Sequence, residues 1–385
     1  RIAQQGLVRL YYEKEFDAGA MGNEFSEIAA RTEASDALVD EARTWAEQRT
    51  IQLGVHMARG AMAPVDATRP ISNILDTCLA ALLATAKREF AREHGEIPNA
   101  RAGLVALGAA GRRELATGAP LELLFIYDHD PVPAGVVVET PEAWHEQLLQ
   151  RLMVLVRNLS PEGMLFEPTR PYALQDTNGH APACSMQRLR EYLEGGATPV
   201  DLRMLTHARA ISAERGLAGE FEDLRRSALA RTREMGPIVR EISDIRRQAT
   251  QHHDAEDIWA IGTFRGGLGD VVLAAEYLQL AGAAPASGVN TLHETFEAAA
   301  HRQLLQTDAA RELSEAAALW QNLDGFFRMT CGGAFDPKAT TPEQKQQIAA
   351  LAGTDNFDNL LRIISDTAVR TSVHLHELLI RTIRV

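Results

Sequence analysis

Residues 103–115, GLVALGAAGRREL, and 121–128, LELLFIYD, decide the fold. Gly103 to Leu107 is a short apolar run that ends in Gly108, and a polar, glycine-containing stretch follows it. Leu121 to Tyr127 is a second apolar run, rich in residues that suit a pleated, buried surface. The pair predicts two strands joined through a turn. Working outward, Gly135 to Val138 is a further strand candidate, and Pro141 to Leu159 spaces its apolar residues as an amphipathic helix. The inner face of that helix is Trp144, Leu148, Leu149, Leu152, Met153, Leu155 and Val156. Gly163 to Glu167 is another short strand, ended by Pro168 and Pro171 because proline donates nothing to a ladder. This order of elements predicts a small mixed-sheet domain over residues 71–185.

Everything else reads as helix. Residues 1–60 are a helical lead-in, and Met62 to Pro70, with two prolines, is a linker. Ser72 to His94 is one long helix with Ile74, Cys78, Leu79, Leu82, Leu83 and Ala86 inside. From Met186 onward only helices are expected: Leu202–Ser212, Leu217–Met235, Pro237–Gln251 and Asp270–Leu280 in turn. Thr341-Pro-Glu-Gln344 is a capping box with proline at the first helical position, and Gly353 closes that helix. Asn356 to Ile380 is the last, with Phe357, Leu360, Leu361, Ile364, Ala368, Val369, Val373 and Leu375 inward. The fold class expected is thus α+β and mostly helical. A segment and linker span 1–70, the sheet domain 71–185, and a helical bundle 186–385.

Bulk properties bound the partners. The chain has 385 residues, 45% hydrophobic and 24% charged, enough for two or three domains. A net charge of −13 repels phosphate backbones and anionic lipid, so neither general nucleic-acid binding nor membrane binding is expected. Three scattered cysteines, Cys78, Cys184 and Cys331, fit no disulfide framework or zinc site and suit a reducing cytoplasm.

Three segments, in order, resemble the glutamine synthetase adenylyltransferase family. The first is the opening pair of runs: the family has a strand ending in glycine, a G-R-E-L element, then S-D-L-D-L-I-F-x-Y-D, which lies over Ala119 to Asp128. The second is residues 163–171, GMLFEPTRP, where the family reads roughly Y-E-V-D-x-R-L-R-P; Thr206 to Arg209 downstream partly matches its A-L-x-R-A-R stretch. The third is residues 265–280, RGGLGDVVLAAEYLQL, against R-G-G-I-x-D-I-E-F-x-x-Q-Y-L-Q-L. The resemblance covers residues 70–385 and implies one nucleotidyltransferase half with its helical companion, where the family's full enzymes carry two. It implies ATP-dependent adenylylation of a glutamine synthetase tyrosine, or its phosphorolytic reversal, answering to a PII-type protein.

The chemistry that the resemblance implies needs three carboxylates. Two stand two residues apart on one strand, and a third comes from a neighbouring strand; together they hold two Mg²⁺ ions about 4 Å apart on the ATP phosphates and the attacking oxygen. Here the first falls on Pro120, the second on Glu122 and the third on Thr169; Ala119 replaces the serine before the pair. Val272 stands where the third segment has Glu, and Gly262 is the nearest match to a lysine expected ahead of the glycine turn. Glu122 is therefore the candidate metal ligand, and Glu122 with Glu167 the candidate catalytic pair; Asp128 and Asp176 are more distant substitutes. Gly108, Gly111, Arg112 and Arg113 could cradle a triphosphate, Arg203 or Arg209 could reach a phosphate, and Asp270 either caps its helix or faces the nucleotide. His252-His253-Asp254 reads as a solvated loop, and His374 with His376 on a helix as no metal site. Mg²⁺ and ATP are expected only if the site is active. Three functions stay open: a degenerate member kept for binding or regulation, an active enzyme rebuilt on Glu122 and Glu167, and a structural module that docks a partner.

Overall fold

The computed structural model describes residues 16–32, 34–131, 140–161, 165–174, 182–214, 216–252, 257–284, 291–333 and 335–383. Among them are fourteen helices and six short strands, so the chain is α+β and mostly helical. It divides into two compact units, one of residues up to Met62, Asp66–Asp201 and Ala208–Ala228, the other of Ala63–Val65, Leu202–His207 and Leu229–Val385.

The first unit is built on a four-stranded mixed sheet of order β5-β3-β1-β6. Strand β1 (Arg101–Ala106) pairs antiparallel with β3 (Leu123–Asp128), Arg101 opposite Asp128 and Ala106 opposite Leu123. Both are almost wholly buried. A strand covered on both faces reads as a continuous apolar run, which is why these two stretches are so legible. Strand β5 (Ala183–Ser185) adds parallel to β3. The other edge is β6 (Arg209–Ala213), antiparallel to β1, with a bulge between Leu104 and Val105. Residues 209–212, expected as the end of a helix, belong to this strand instead; pairing with β1, more than 100 residues earlier, outweighs their local preference.

The predicted strand over Leu121–Tyr127 is in fact two. β2 (Pro120–Leu121) pairs parallel with β4 (Glu167–Pro168) in a separate two-stranded ribbon, and Glu122 sits at the break before β3. Helix α5 (Pro141–Leu159) forms where expected, with Thr140 accepting from the Ala143 N–H at 3.2 Å and proline in its first turn. The linker expected at 62–70 is replaced by the start of helix α3 (Pro64–His94). Pro64 sits in the first turn, whose N–H groups need no partner, and Pro70 is carried inside the helix because Ala67, Ile71, Ile74 and Leu75 around it are buried in the unit's core. Helices α1 (Ala18–Ala29) and α2 (Ser35–Ala58) add Phe25, Leu38, Trp45 and Leu53 to that core. The strand candidate at 135–138, the start of the one at 163–167, Asp176 and His253-Asp254 lie outside the described residues.

Helix α6 (Met186–Gly195) is capped by Ser185, and α7 (Pro199–Thr206) and α8 (Leu217–Leu229) follow. The second unit is helical: α9 (Gly236–His252), α10 (Leu268–Leu280), α11 (Leu292–His301), α12 (Thr307–Cys331), α13 (Pro342–Leu351) and α14 (Phe357–Ile383). Their shared core includes Phe264, Phe296, Trp320, Leu323, Leu360 and Ile364. The capping box at Thr341 and Gln344 forms as read, and Gly353 follows α13 with φ +71°. One expected inner face is wrong in part: Val369 and Val373 of α14 are 61% and 47% exposed, one residue out of step with the buried stripe through Ile364, Ala368, Thr371 and Leu375.

Candidate functional site

The site begins where the chain leaves the ribbon for the sheet. β2 and β4 pair Pro120 with Glu167 and Leu121 with Pro168, so continuing that register by one places Thr169 beside Glu122. Thr169 follows directly on the paired residue Pro168, and Glu122 on Leu121. The Thr169 hydroxyl donates to the Leu121 carbonyl at 2.5 Å, so it serves the backbone of the adjacent strand. Glu167 lies beside Pro120 and is exposed.

Glu122 is half-buried, and its backbone carbonyl accepts from the Leu107 N–H at 3.0 Å. Gly108, at φ +52°, opens the four-residue helix α4 (Gly108–Gly111). A Cβ at Gly108 would lie 2.8 Å from Oε2 of Glu122. Glycine is favoured there by its left-handed φ; the carboxylate oxygen is the tip of a flexible side chain that could move aside.

The arginines after that turn are bound to the protein. Arg112 is buried and donates through Nε to Glu114 at 2.6 Å. Arg209, at the start of β6, forks onto both oxygens of Asp76 at 2.8 and 3.0 Å, and donates to the carbonyls of Ala110 at 3.1 Å and Gly111 at 3.2 Å. It thereby holds the carbonyl end of α4, where a cation is favoured, against α3. Arg113 adopts φ +61°, rare for a residue with a side chain, and donates to Asn73 at 3.0 Å, with Asp76 3.5 Å away. Burial, with Arg209 and Arg69 nearby, lowers its pKa from the usual guanidinium value. Asp76 and Asn73, which organise this cluster, escape a sequence reading focused on the glycine turn. The signal was there: Asp76 is a lone charge inside the apolar run ILDTCLAALL, residues 74–83.

Two other acids are engaged elsewhere. Asp128, at the far end of β3, is paired with Arg101, which also reaches Glu220 at 2.6 Å. In the second unit, Asp270 sits in the first turn of α10 and not at its cap, which is Gly267. It accepts from Arg246 at 2.9 Å on each oxygen and from the Gly266 N–H at 2.9 Å. Arg203 donates to the buried Glu276 at 2.7 Å. The glycines of this turn are demanded by close packing: a Cβ would meet the Ala368 carbonyl oxygen at 2.0 Å from Gly266, that of Ile261 at 2.4 Å from Gly267, and that of Gly262 at 2.4 Å from Gly269.

A residue set for two Mg²⁺ ions needs converging carboxylates. Only one of the three aligned positions offers one, and among the described residues no three His, Cys, Asp or Glu side chains gather as a metal site requires. The residues present do not fit a two-metal centre.

The model of the glutamate-ammonia ligase adenylyltransferase family matches residues 8–224, more than half of the chain. The chain belongs to that family. Relatives are the bifunctional glutamine synthetase adenylyltransferase/adenylyl-removing enzymes of Mesorhizobium japonicum, 26% identical over 339 residues, and of Rhizobium meliloti, 27% identical over 312. These alignments take in 87% and 79% of this chain but 34% and 31% of the relatives. The Xanthobacter autotrophicus enzyme is similar, at 25% identity over 86% of this chain and 34% of its own length. The chain thus spans about a third of the adenylyltransferases it matches. Among its described residues no helix is long and apolar enough to cross a membrane.

Proposed function

We propose that this chain is a catalytically degenerate member of the adenylyltransferase family that has kept the fold for binding or regulation. The observation that carries the reading is Thr169. It falls where the family pattern has a carboxylate, and its hydroxyl donates to the Leu121 carbonyl, one residue before Glu122. With proline at 120 and threonine at 169, only one of the three positions that the family pattern fills with carboxylates carries an acid. Each metal ion supplies several kcal/mol of transition-state stabilisation, and about 1.4 kcal/mol is tenfold in rate, so a site without either ion loses most of its rate.

The partner class follows from the relatives, whose names place glutamine synthetase as their target. We propose glutamine synthetase, or a PII-type regulator of it, as what this chain recognises. The test is to titrate the purified chain against unmodified and adenylylated glutamine synthetase, with labelled ATP present. Complex formation without transfer or removal of AMP supports the reading; transfer of label to a tyrosine contradicts it.

A second reading has one observation of its own. Glu167 is exposed opposite Pro120, one register step from Glu122, so two carboxylates could act where three are usual. On that reading Glu122→Gln abolishes turnover; on the first there is none to abolish.

A further inference from the structure

One cavity of the first unit combines an apolar floor with a single unpaired acid. It has a volume of about 460 Å³ and lies where α2 packs against the end of α5. Ala46, Leu159 and Leu165 form its floor, and all three are buried members of the unit's core. Ile51 and Pro161, both exposed, are part of its wall. Ile51 is 54% exposed. A lone exposed isoleucine is ordinary on a surface, but one that walls a cavity reaching the core adds apolar area where a ligand can cover it.

The polar groups of the lining sort into those already engaged and one that is not. Arg43 donates to Asp40 at 2.6 Å and to the Asn158 carbonyl at 3.2 Å. Ser160 donates to the Phe166 carbonyl at 2.8 Å and accepts from the Leu165 and Phe166 N–H groups at 3.2 Å each. The Thr50 hydroxyl is buried within the wall. Glu47 is exposed, and among the described residues no cation pairs with it, although Arg43 stands one helical turn before it. Arg43 and Asp40 cancel, so the lining keeps one uncompensated negative charge. Helix α5 ends at Leu159, so the partial negative charge of its last turn lies at the same cavity.

The volume falls within the roughly 300–1,000 Å³ of pockets that take small molecules, and such pockets pair apolar walls with a few polar groups that fix orientation. We propose that this cavity binds a small organic cation, with an apolar ring system against Ala46, Ile51, Leu159 and Leu165 and an ammonium group at Glu47. An anion of the same shape would face the like charge of Glu47 instead. The site draws on no residue that carries the proposed function and stands or falls separately.

The experiment is a saturation-transfer NMR titration of the whole chain at pH 7 with tryptamine, and with indole-3-ethanol and indole-3-propionate as its neutral and anionic counterparts. Saturable binding is expected, tightest for the amine and weakest for the acid. The amine should bind about threefold more tightly than the alcohol, as an ion pair at an exposed carboxylate implies. Glu47→Gln should bring the amine to the affinity of the alcohol and leave the alcohol unchanged. Ile51→Ser should weaken the amine and the alcohol alike, by about threefold, through lost apolar area. Glu47 and Ile51 are both exposed, so neither change disturbs the core. Val154→Ser alters a residue of α5 that is also 54% exposed but does not line the cavity, and should change nothing. Absence of saturable binding, an acid that binds as tightly as the amine, an amine affinity unchanged in Glu47→Gln, or equal losses in Val154→Ser and Ile51→Ser overturns the proposal.

Discussion

The strand pair around Glu122 and the glycine turn at 265–270 have been treated differently. In the turn, the family pattern survives wherever packing enforces it: Gly266, Gly267 and Gly269 each face a backbone carbonyl within 2.4 Å of a notional Cβ, and Asp270 bonds Arg246 and Gly266. In the strand pair, the proposed reading is that residues supporting geometry are kept and those that only metal chemistry needs are replaced. Gly108 has the left-handed φ of +52° that favours glycine, while Pro120 and Thr169 stand where the resemblance expects two of the carboxylates. On the proposed reading, steric demands and catalytic demands have come apart in this chain.

That contrast can be broken by measurement. Arg209→Ala should have the largest effect, about 3–4 kcal/mol in denaturant unfolding, because it strands Asp76 partly buried and releases two carbonyls. Arg209→Lys should recover little, since the fork onto Asp76 needs two nitrogens. A small loss would mean that the turn after β1 is not held as described. Gly266→Ala should cost about 3 kcal/mol, combining a left-handed φ with a clash against the Ala368 carbonyl. Gly262→Ala, at the position nearest the missing lysine, meets nothing within 4 Å and should be close to neutral. Equal costs at the two glycines would remove the steric half of the contrast.

Acid sensitivity sharpens it within the first unit. His145 is fully buried, bonds the Pro141 carbonyl at 2.7 Å and stacks on Tyr127 at 4.1 Å. Burial pushes its pKa from 6.5 down to about 4, with Lys87 and His129 adding to the fall and Glu142 opposing it. The unfolded chain therefore binds the proton more readily between those values. Stability from this group is complete above pH 6.5 and is lost as pH falls toward 4, by about 2–3 kcal/mol. Unfolding at pH 7 and pH 4.5 should show that loss in the native chain and a smaller one in His145→Gln. Thr169→Val should have the smallest effect in the strand pair, about 1 kcal/mol for one hydrogen bond to backbone.

Much of this was legible before any coordinates. Helix α5 announced itself through Thr140, Pro141 and a clean apolar face, and the buried runs of β1 and β3 through unbroken hydrophobicity. What was missed depended on distant partners. Residues 209–213 have no strand pattern of their own and become β6 only against β1. Pro64 and Pro70 suggested a linker, yet the first suits a helix start and the second is held by core packing. Val369 and Val373 are apolar but lie off the inner stripe of Ile364, Ala368, Thr371 and Leu375, so hydrophobicity alone put them on the wrong face. At the site, Glu122, Pro120 and Thr169 could be placed by pattern, but the engagement of Arg112, Arg113 and Arg209 with Glu114, Asn73 and Asp76 needed the folded chain.

The central claim is that the Glu122 face no longer supports two-metal chemistry. Titration of the chain with ATP, with and without Mg²⁺, beside the same titration of Glu122→Gln, tests it most directly. The account predicts that Mg²⁺ does not strengthen ATP binding and that Glu122→Gln behaves as the native chain does. Binding that requires Mg²⁺ and is lost in Glu122→Gln would contradict it.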